Sequence, residues 1–194
     1  MDTRKSIIEC AEGMFLELGY DKTGLNDIAK KLNITKGALY HYFESKDVLF
    51  REVLMNLFGK LETWFMKTIV QESDLHKLMK GFFDYSAFFT EYEIEKGATP
   101  NLYKTIFDAF SRFPDFKGTI EHSYRSYIAL LQGKVEQAQK EGVVREDLDA
   151  NIFAYQMTVL VEGMLLFSTL APGLVNRENT DKLLEFIWQG IGTS

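Results

Sequence analysis

The sequence has few of the residues that mark a secreted or loop-rich protein. One cysteine, Cys10, occurs among 194 residues, so no internal disulfide can form. The three prolines lie at positions 100, 114 and 172, between segments with helical periodicity. A lone thiol is typical of a reducing compartment, and we expect a cytoplasmic protein.

Long uninterrupted apolar runs are also lacking. The first 17 residues include three glutamates, unlike the apolar centre of a signal peptide. The most apolar stretch, residues 152–175, is interrupted by Gln156 and Glu162. Because a spanning helix needs about 20 predominantly apolar residues and a central carboxylate is costly, we expect a helix buried between protein surfaces and no membrane.

Composition indicates a folded protein with an acidic balance. Hydrophobic residues make up 46% and aromatic residues 14% of the chain, too much apolar surface for a disordered segment. The net charge of −6 excludes a wholly basic nucleic-acid coat, but it leaves room for a local basic face.

Apolar periodicity predicts an all-α fold, because no alternation of strands and helices occurs. The first helix is predicted over residues 3–18 and ends at Gly19. Thr23 is the predicted N-cap of a second helix over residues 24–32. Three later helices are predicted over residues 117–141, 151–170 and 180–190.

The segment after the second helix has the spacing of a helix-turn-helix. Asn33, which tolerates left-handed backbone, ends that helix, and Thr35 is the predicted N-cap of a two-turn helix over residues 36–43. Ser45 is then the predicted cap of a long fourth helix. Between positions 22 and 46 there are five lysines and two carboxylates, so this segment is the local basic face. A short helix of this kind can enter the DNA major groove, about 12 Å wide.

The first 50 residues carry a specific set of glycine, aromatic and lysine positions. This set resembles the N-terminal signature of the TetR family of bacterial transcriptional repressors, and its positions are Gly19-Tyr20, Thr23, Ile28-Ala29, Leu32, Thr35 to Phe43 and Lys46 to Leu49. The resemblance implies a three-helix DNA-binding domain over residues 1–46, with its motif at about 24–43. It also implies a larger helical ligand-binding and dimerisation domain over residues 47–194.

The resemblance also implies which residues contact DNA. Family members use the equivalent positions for bases and phosphates, here Gly24, Thr35, Lys36, Gly37, Ala38, Tyr40, His41, Tyr42 and Lys46. Gly24 departs from the family pattern, since many members have Thr or Ser there, and we expect only its backbone N–H to reach a phosphate. For Tyr42, packing against the first helix is an open alternative, and Thr35 is alternatively an N-cap alone.

Aromatic residues are concentrated between positions 82 and 127, where 13 occur among 46 residues. They form either ordinary core or the lining of a cavity for a small hydrophobic effector, as the family resemblance implies. The candidate ligand-binding residues are Trp64, Phe82, Tyr85, Phe88, Phe89, Tyr103, Phe107, Phe110, Tyr127, Met164 and Glu162. Glu162 is alternatively paired across a dimer interface, turned toward solvent, or the counter-ion of a cationic effector.

The family resemblance further implies a homodimer that presents two recognition helices to a palindromic operator. We expect the helices at about 117–141 and 151–170 to form its interface. No metal-binding, phosphate-binding or nucleophile motif occurs in the sequence, so we expect neither an enzyme nor a cofactor. A non-catalytic small-molecule binding protein is the second hypothesis, and a helical enzyme a remote third.

Overall fold

The computed structural model describes residues 2–96, 102–171 and 173–193, apart from the side chains at 61, 64, 65, 68–70, 85, 87–96, 102, 104 and 169. Within this part the chain is all-α, as predicted, with one isolated antiparallel bridge between Val144 and Gly192. The helices are α1 (Thr3–Leu18), α2 (Leu25–Lys31), α3 (Lys36–Tyr42), α4 (Lys46–Gln71), α5 (Leu75–Lys96), α6 (Leu102–Arg112), α7 (Phe116–Lys140), α8 (Ala150–Leu170) and α9 (Arg177–Ile191).

The chain forms two compact units. The N-terminal unit comprises residues 1–63 and 99–118, and the C-terminal unit comprises residues 64–98 and 119–194. The N-terminal unit therefore extends beyond the predicted residues 1–46. It includes the first part of α4 because Leu49, Phe50, Val53 and Leu54 are buried there. It also includes α6, which contacts α1.

Aromatic rings hold the N-terminal unit together. Phe50 of α4 lies 4.8 Å from the rings of both Phe15 and Tyr20, measured between centroids, and 6.2 Å from the ring of Phe113. Phe15 and Phe50 are fully buried. This cluster joins α1, the start of α4 and the residue that follows α6.

Two predicted helix starts are wrong. Gly24, rather than Thr23, is the N-cap of α2, because the buried Thr23 hydroxyl donates instead to the carbonyl oxygens of Met14 (3.1 Å) and Gly19 (2.8 Å). The last helix begins at Arg177, not at position 180. Its N-cap is Asn176, whose side chain accepts from the Asn179 backbone N–H at 3.0 Å and so adds an earlier turn.

The C-terminal unit packs α5 against α8 and α9. The buried stripe of α8, which includes Phe153, Met157, Val161 and Met164, joins this core. Residues Ala150–Ser168 are the one described segment long and apolar enough to cross a membrane, and core helices of soluble proteins meet the same criterion.

A second stripe of α8 is apolar and exposed. We call it the α8 apolar face; its large residues recur at helical spacing and are Ile152, Tyr155, Val159, Leu166 and Leu170, between 39% and 74% exposed. Gly163 completes the stripe, and a Cβ added to it would meet no heavy atom within 4 Å. An amphipathic helix normally buries one apolar stripe and exposes a polar one. Because α8 exposes an apolar stripe as well, this second face is suited to contact with another protein.

Candidate nucleic-acid interface

The turn between α2 and α3 is formed by local hydrogen bonds. Asn33 adopts the left-handed conformation, with φ of 55°, as its residue type predicts. The Asn33 and Ile34 backbone N–H groups donate to the carbonyls of Lys30 and Ala29, each at 3.0 Å. The chain therefore reverses within a few residues and begins α3 immediately.

Thr35 starts α3 as predicted. Its hydroxyl oxygen accepts from the Ala38 backbone N–H at 3.1 Å, which satisfies one of the unpaired amides of the first turn. Leu39 is the buried residue of this helix, and Phe43 at its C-cap is also fully buried. These two anchors orient the rest of α3 toward solvent.

The predicted DNA-contacting residues of α3 are therefore surface residues. Thr35, Lys36, Gly37, Tyr40, His41 and Tyr42 are exposed, and Ala38 is half-buried. Tyr40 is 42% exposed and Tyr42 is 40% exposed, so their hydroxyls can reach a ligand. The Lys36 ammonium lies 5.5 Å from the centroid of the Tyr40 ring, and a Cβ added to Gly37 would meet no atom within 4 Å. The helix thus presents a cation, aromatic hydroxyls and an imidazole next to bare backbone.

Gly24 and Lys46 flank this helix in the sequence, and both are half-buried. Gly24 is the N-cap of α2 and makes no side-chain cap hydrogen bond, and the contact of its backbone N–H with a phosphate stays a prediction. Lys46 is the first residue of α4, where the Ser45 hydroxyl accepts from the Val48 N–H at 3.2 Å and confirms the predicted cap. Desolvation is the main cause that lowers the pKa of the Lys46 ammonium.

The basic residues of this region are accessible. Lys22, Lys30, Lys31 and Lys36 are exposed. Lys30 and Lys31 lie in the last turn of α2, where a positive charge also suits the helix dipole. A surface with this excess of cations attracts phosphates over a range set by the salt concentration.

The predicted effector residues lie in both units. Phe82 and Met164 belong to the packed core of the C-terminal unit, where Tyr127 and Glu162 are half-buried. Tyr103, Phe107 and Phe110 belong to the N-terminal unit, where Phe107 is 57% exposed. Their role in an effector cavity stays a prediction. The side chains of Trp64, Tyr85, Phe88 and Phe89 lie outside the described residues.

The sequence analysis did not identify Thr105 as a polar candidate for effector contact. This α6 residue is 2% exposed, and its hydroxyl has no hydrogen-bond partner among the described residues. An unsatisfied buried hydroxyl costs about 1–3 kcal/mol, which a polar ligand atom would recover. A threonine within an ordinary helical pattern carries no signal of this in the sequence.

Catalytic and metal-binding arrangements are not apparent in the described part of the chain. No group of three or more His, Cys, Asp or Glu side chains there could hold a metal ion. His76 contacts Glu185 at 3.2 Å between Nε2 and Oε1, and its ring packs edge-on against Trp188 with centroids 4.6 Å apart. These contacts join α5 to α9 at an exposed position.

Comparison with known proteins identifies relatives of the chain. Residues 7–53 match the sequence profile of bacterial regulatory proteins of the tetR family. The uncharacterized HTH-type transcriptional regulator YhgD of Bacillus subtilis (strain 168) is 23% identical over 100% of this chain and 99% of its own length. The probable acrEF/envCD operon repressor of Escherichia coli (strain K12) is 47% identical over 53 residues, which are 27% of this chain and 24% of that repressor.

Solved structures share the fold over nearly the whole chain. A putative transcriptional regulator from Saccharomonospora viridis in complex with choline aligns with a TM-score of 0.78 at 17% identity, covering 100% of this chain and 99% of that one. The SmeT–triclosan complex aligns with a TM-score of 0.73 at 21% identity, covering 100% and 93%. The matched residues 7–53, which include the exposed helix α3, therefore identify the N-terminal part of the chain as the DNA-binding domain of the TetR family of bacterial regulatory proteins, and the solved structures show the same fold over the rest of the chain.

Proposed function

We propose that this protein is a cytoplasmic, dimeric repressor that binds a palindromic DNA operator and releases it when a small hydrophobic effector binds. The observation that carries the proposal is the burial pattern of α3, a capped helix with one buried residue and with exposed side chains at most of the predicted DNA-contacting positions. Lys36 can reach a phosphate or a guanine edge, Ala38 a thymine methyl, and Tyr40 and His41 base edges or phosphates.

The α8 apolar face supports a homodimer. A stripe of large apolar side chains along a helix marks a protein interface. Two-fold symmetry would pair this face with itself and present two copies of α3 to the two halves of an operator. The helix predicted at 117–141 gains no such support, because none of the large apolar side chains of α7 is exposed; Leu131 and Val135 are in the core. We therefore propose α8, with the exposed Phe186 of α9, as the interface.

The effector proposal rests on the aromatic segment and on relatives. The solved SmeT complex contains triclosan, and the Saccharomonospora viridis regulator contains choline. For this chain we propose a small hydrophobic effector, with Glu162 as its counter-ion if the effector is cationic. Within the N-terminal unit, the buried Thr105 hydroxyl is a polar candidate beside the predicted Tyr103, Phe107 and Phe110 in the sequence.

A binding assay on DNA that flanks the protein's own gene tests the proposal. Fluorescence anisotropy over a salt series gives the affinity and the slope of log K against log salt. Lys36→Ala is expected to weaken binding and to reduce the slope by about one unit, because each neutralised phosphate releases about one counterion. The matched control is Lys140→Ala, which removes an exposed lysine of α7 and is expected to change neither.

A panel of neutral, anionic and cationic hydrophobic compounds then tests release from the bound fragment. Hydrophobic compounds are expected to lower operator affinity, since a ligand shifts the DNA-bound state only through different affinity for the two states. If the effector is cationic, Glu162→Gln is expected to weaken that effector alone. Absence of specific DNA binding, or equal affinity of the Lys36→Ala protein, would contradict the proposed function.

A further inference from the structure

The ring of Tyr20 is a meeting point of three elements of the N-terminal unit. Tyr20 lies in the connection between α1 and α2, just after Gly19. Lys46, the first residue of α4, and Arg112, the last residue of α6, both lie over its ring. Lys46 is a proposed phosphate contact, so the group that surrounds it bears on DNA binding.

Tyr20 provides a fixed surface for these cations. Its side chain is 8% exposed and stacks on Phe15 with an interplanar angle of 8° and centroids 5.9 Å apart. Phe50 packs against it at 4.8 Å. Its hydroxyl donates to a carboxylate oxygen of Asp47. With contacts on the ring and at the hydroxyl, the aromatic plane cannot turn freely.

Helix stability does not explain why a lysine stands at position 46. A lysine in the first turn of a helix faces the positive end of the helix dipole, which disfavours it. Here its Nζ lies 4.1 Å from the centroid of the Tyr20 ring and donates to the backbone carbonyl of Asp21 at 3.3 Å. The ammonium is therefore placed by the ring and by the Asp21 carbonyl.

Arg112 holds the same two residues from α6. Its Cζ lies 3.6 Å from the centroid of the Tyr20 ring, and its Nη2 contacts Oδ1 of Asp21 at 3.0 Å. The Asp21 side chain is 85% exposed, and its carboxylate pairs with the Arg112 guanidinium. Arg112 thus contacts both the ring on which the Lys46 ammonium lies and the residue whose carbonyl accepts from that ammonium.

We propose that Arg112 is a positioning residue for DNA binding: through Tyr20 and Asp21 it holds the Lys46 ammonium where a backbone phosphate is contacted. This inference rests on the proposed function. Arg112 itself makes no phosphate contact, and its effect on DNA passes through Lys46.

A double-mutant cycle on the operator fragment tests this. Lys46→Ala is expected to reduce affinity and lower the salt slope by about one unit. Arg112→Gln is expected to reduce affinity about 2- to 5-fold, as loss of an ordered cation on a ring implies, with the slope unchanged. In the Lys46→Ala background, Arg112→Gln is expected to have no further effect, because the group that it positions is gone.

Two variants separate positioning from loss of structure. Asp21→Asn removes the Arg112 ion pair at a highly exposed site and is expected to show the same coupling to Lys46. Arg51→Gln is the matched control: Arg51 lies 4.6 Å over the Phe113 ring and forms two hydrogen bonds with Asp115, at 2.8 and 3.0 Å. It removes an equivalent arginine from the same unit, and its effect is expected to add to that of Lys46→Ala.

Three results would overturn the inference. A salt slope lowered by about one unit in Arg112→Gln would mean a direct phosphate contact. If the fold-loss of DNA affinity in Arg112→Gln multiplied with that of Lys46→Ala, the effect of Arg112 would be a general structural one. Unchanged affinity would mean that Arg112 is not needed.

A measurement without DNA keeps this inference separable from the proposed function. NMR of lysine-labelled protein reports the Lys46 Cε protons, which the Tyr20 ring current shifts upfield. Arg112→Gln is expected to move them toward the value of an unstructured lysine, and Arg51→Gln is expected to leave them in place. An unmoved signal in Arg112→Gln would refute the positioning role even if the fragment is bound, and a moved signal would support it even if no operator is found.

Discussion

Replacement of Val159 by aspartate is expected to dissociate the proposed dimer. Val159 lies in the middle of the α8 apolar face and is 51% exposed in the subunit. In a two-fold interface each substitution is present twice, so the perturbation enters the association free energy from both protomers.

The size of the effect follows from burial. Full burial of a valine is worth about 1.5 kcal/mol, so covering the exposed half contributes about 0.8 kcal/mol per protomer. A carboxylate enclosed without a partner costs about 1–3 kcal/mol more on each side, and the two carboxylates also repel. The sum is about 4 kcal/mol or more, which weakens the dimer about a thousandfold.

Sedimentation velocity at micromolar protein measures this directly. The native protein is expected to sediment as a dimer and the Val159→Asp protein as a monomer with unchanged helical circular dichroism. Met55→Asp is the matched control, because Met55 of α4 is also 51% exposed and lies off the proposed interface. A native monomer, a Val159→Asp dimer, or equal dissociation by Met55→Asp would each refute the interface.

The remaining predictions concern the N-terminal unit. Thr35→Ala is expected to lower the unfolding free energy by about 1 kcal/mol through loss of the cap on Ala38, and Thr35→Ser to retain it, as measured by urea denaturation. Tyr40→Ala is expected to weaken operator binding while the melting temperature stays constant, since its side chain is 42% exposed; a lower melting temperature would assign Tyr40 to the core. Burial, and then the Asp47 hydrogen bond, raises the pKa of Tyr20 from 10.0 to about 12, so the folded state holds this proton more tightly than the unfolded chain. That contribution to stability is complete below about pH 10 and is lost as the pH rises to about 12, and urea midpoints of Tyr20→Phe are expected to lack this loss.

Features set by neighbouring residues could be predicted from the sequence. The bounds of α1, the left-handed Asn33, the Thr35 cap and the Ser45 cap all depend on contacts within four residues. The Thr23 prediction failed for a related reason. Its hydroxyl donates to two carbonyls, that of Gly19 in the preceding turn and that of Met14 nine residues earlier in α1, and the residue type alone does not predict this choice of partner.

Features set by distant residues could not be predicted. Arg112 contacts Asp21 across 91 positions, and Arg51 contacts Asp115 across 64. These pairs join the end of α6 and the residue before α7 to the rest of the N-terminal unit. The aromatic residues of α6 resemble those of the neighbouring segments, so the sequence does not indicate this placement. Helical periodicity reports that a face is buried, but it does not report against what.

The burial pattern of α3 allows operator preference to change while the helix is retained. Leu39 is its one buried residue, and the cap on Thr35 is made by a backbone N–H of Ala38, which any residue except proline provides. The side chains at positions 36, 37, 40 and 41 are therefore not needed to form the helix. Evolution or design can exchange them to read a different operator without first restoring the fold.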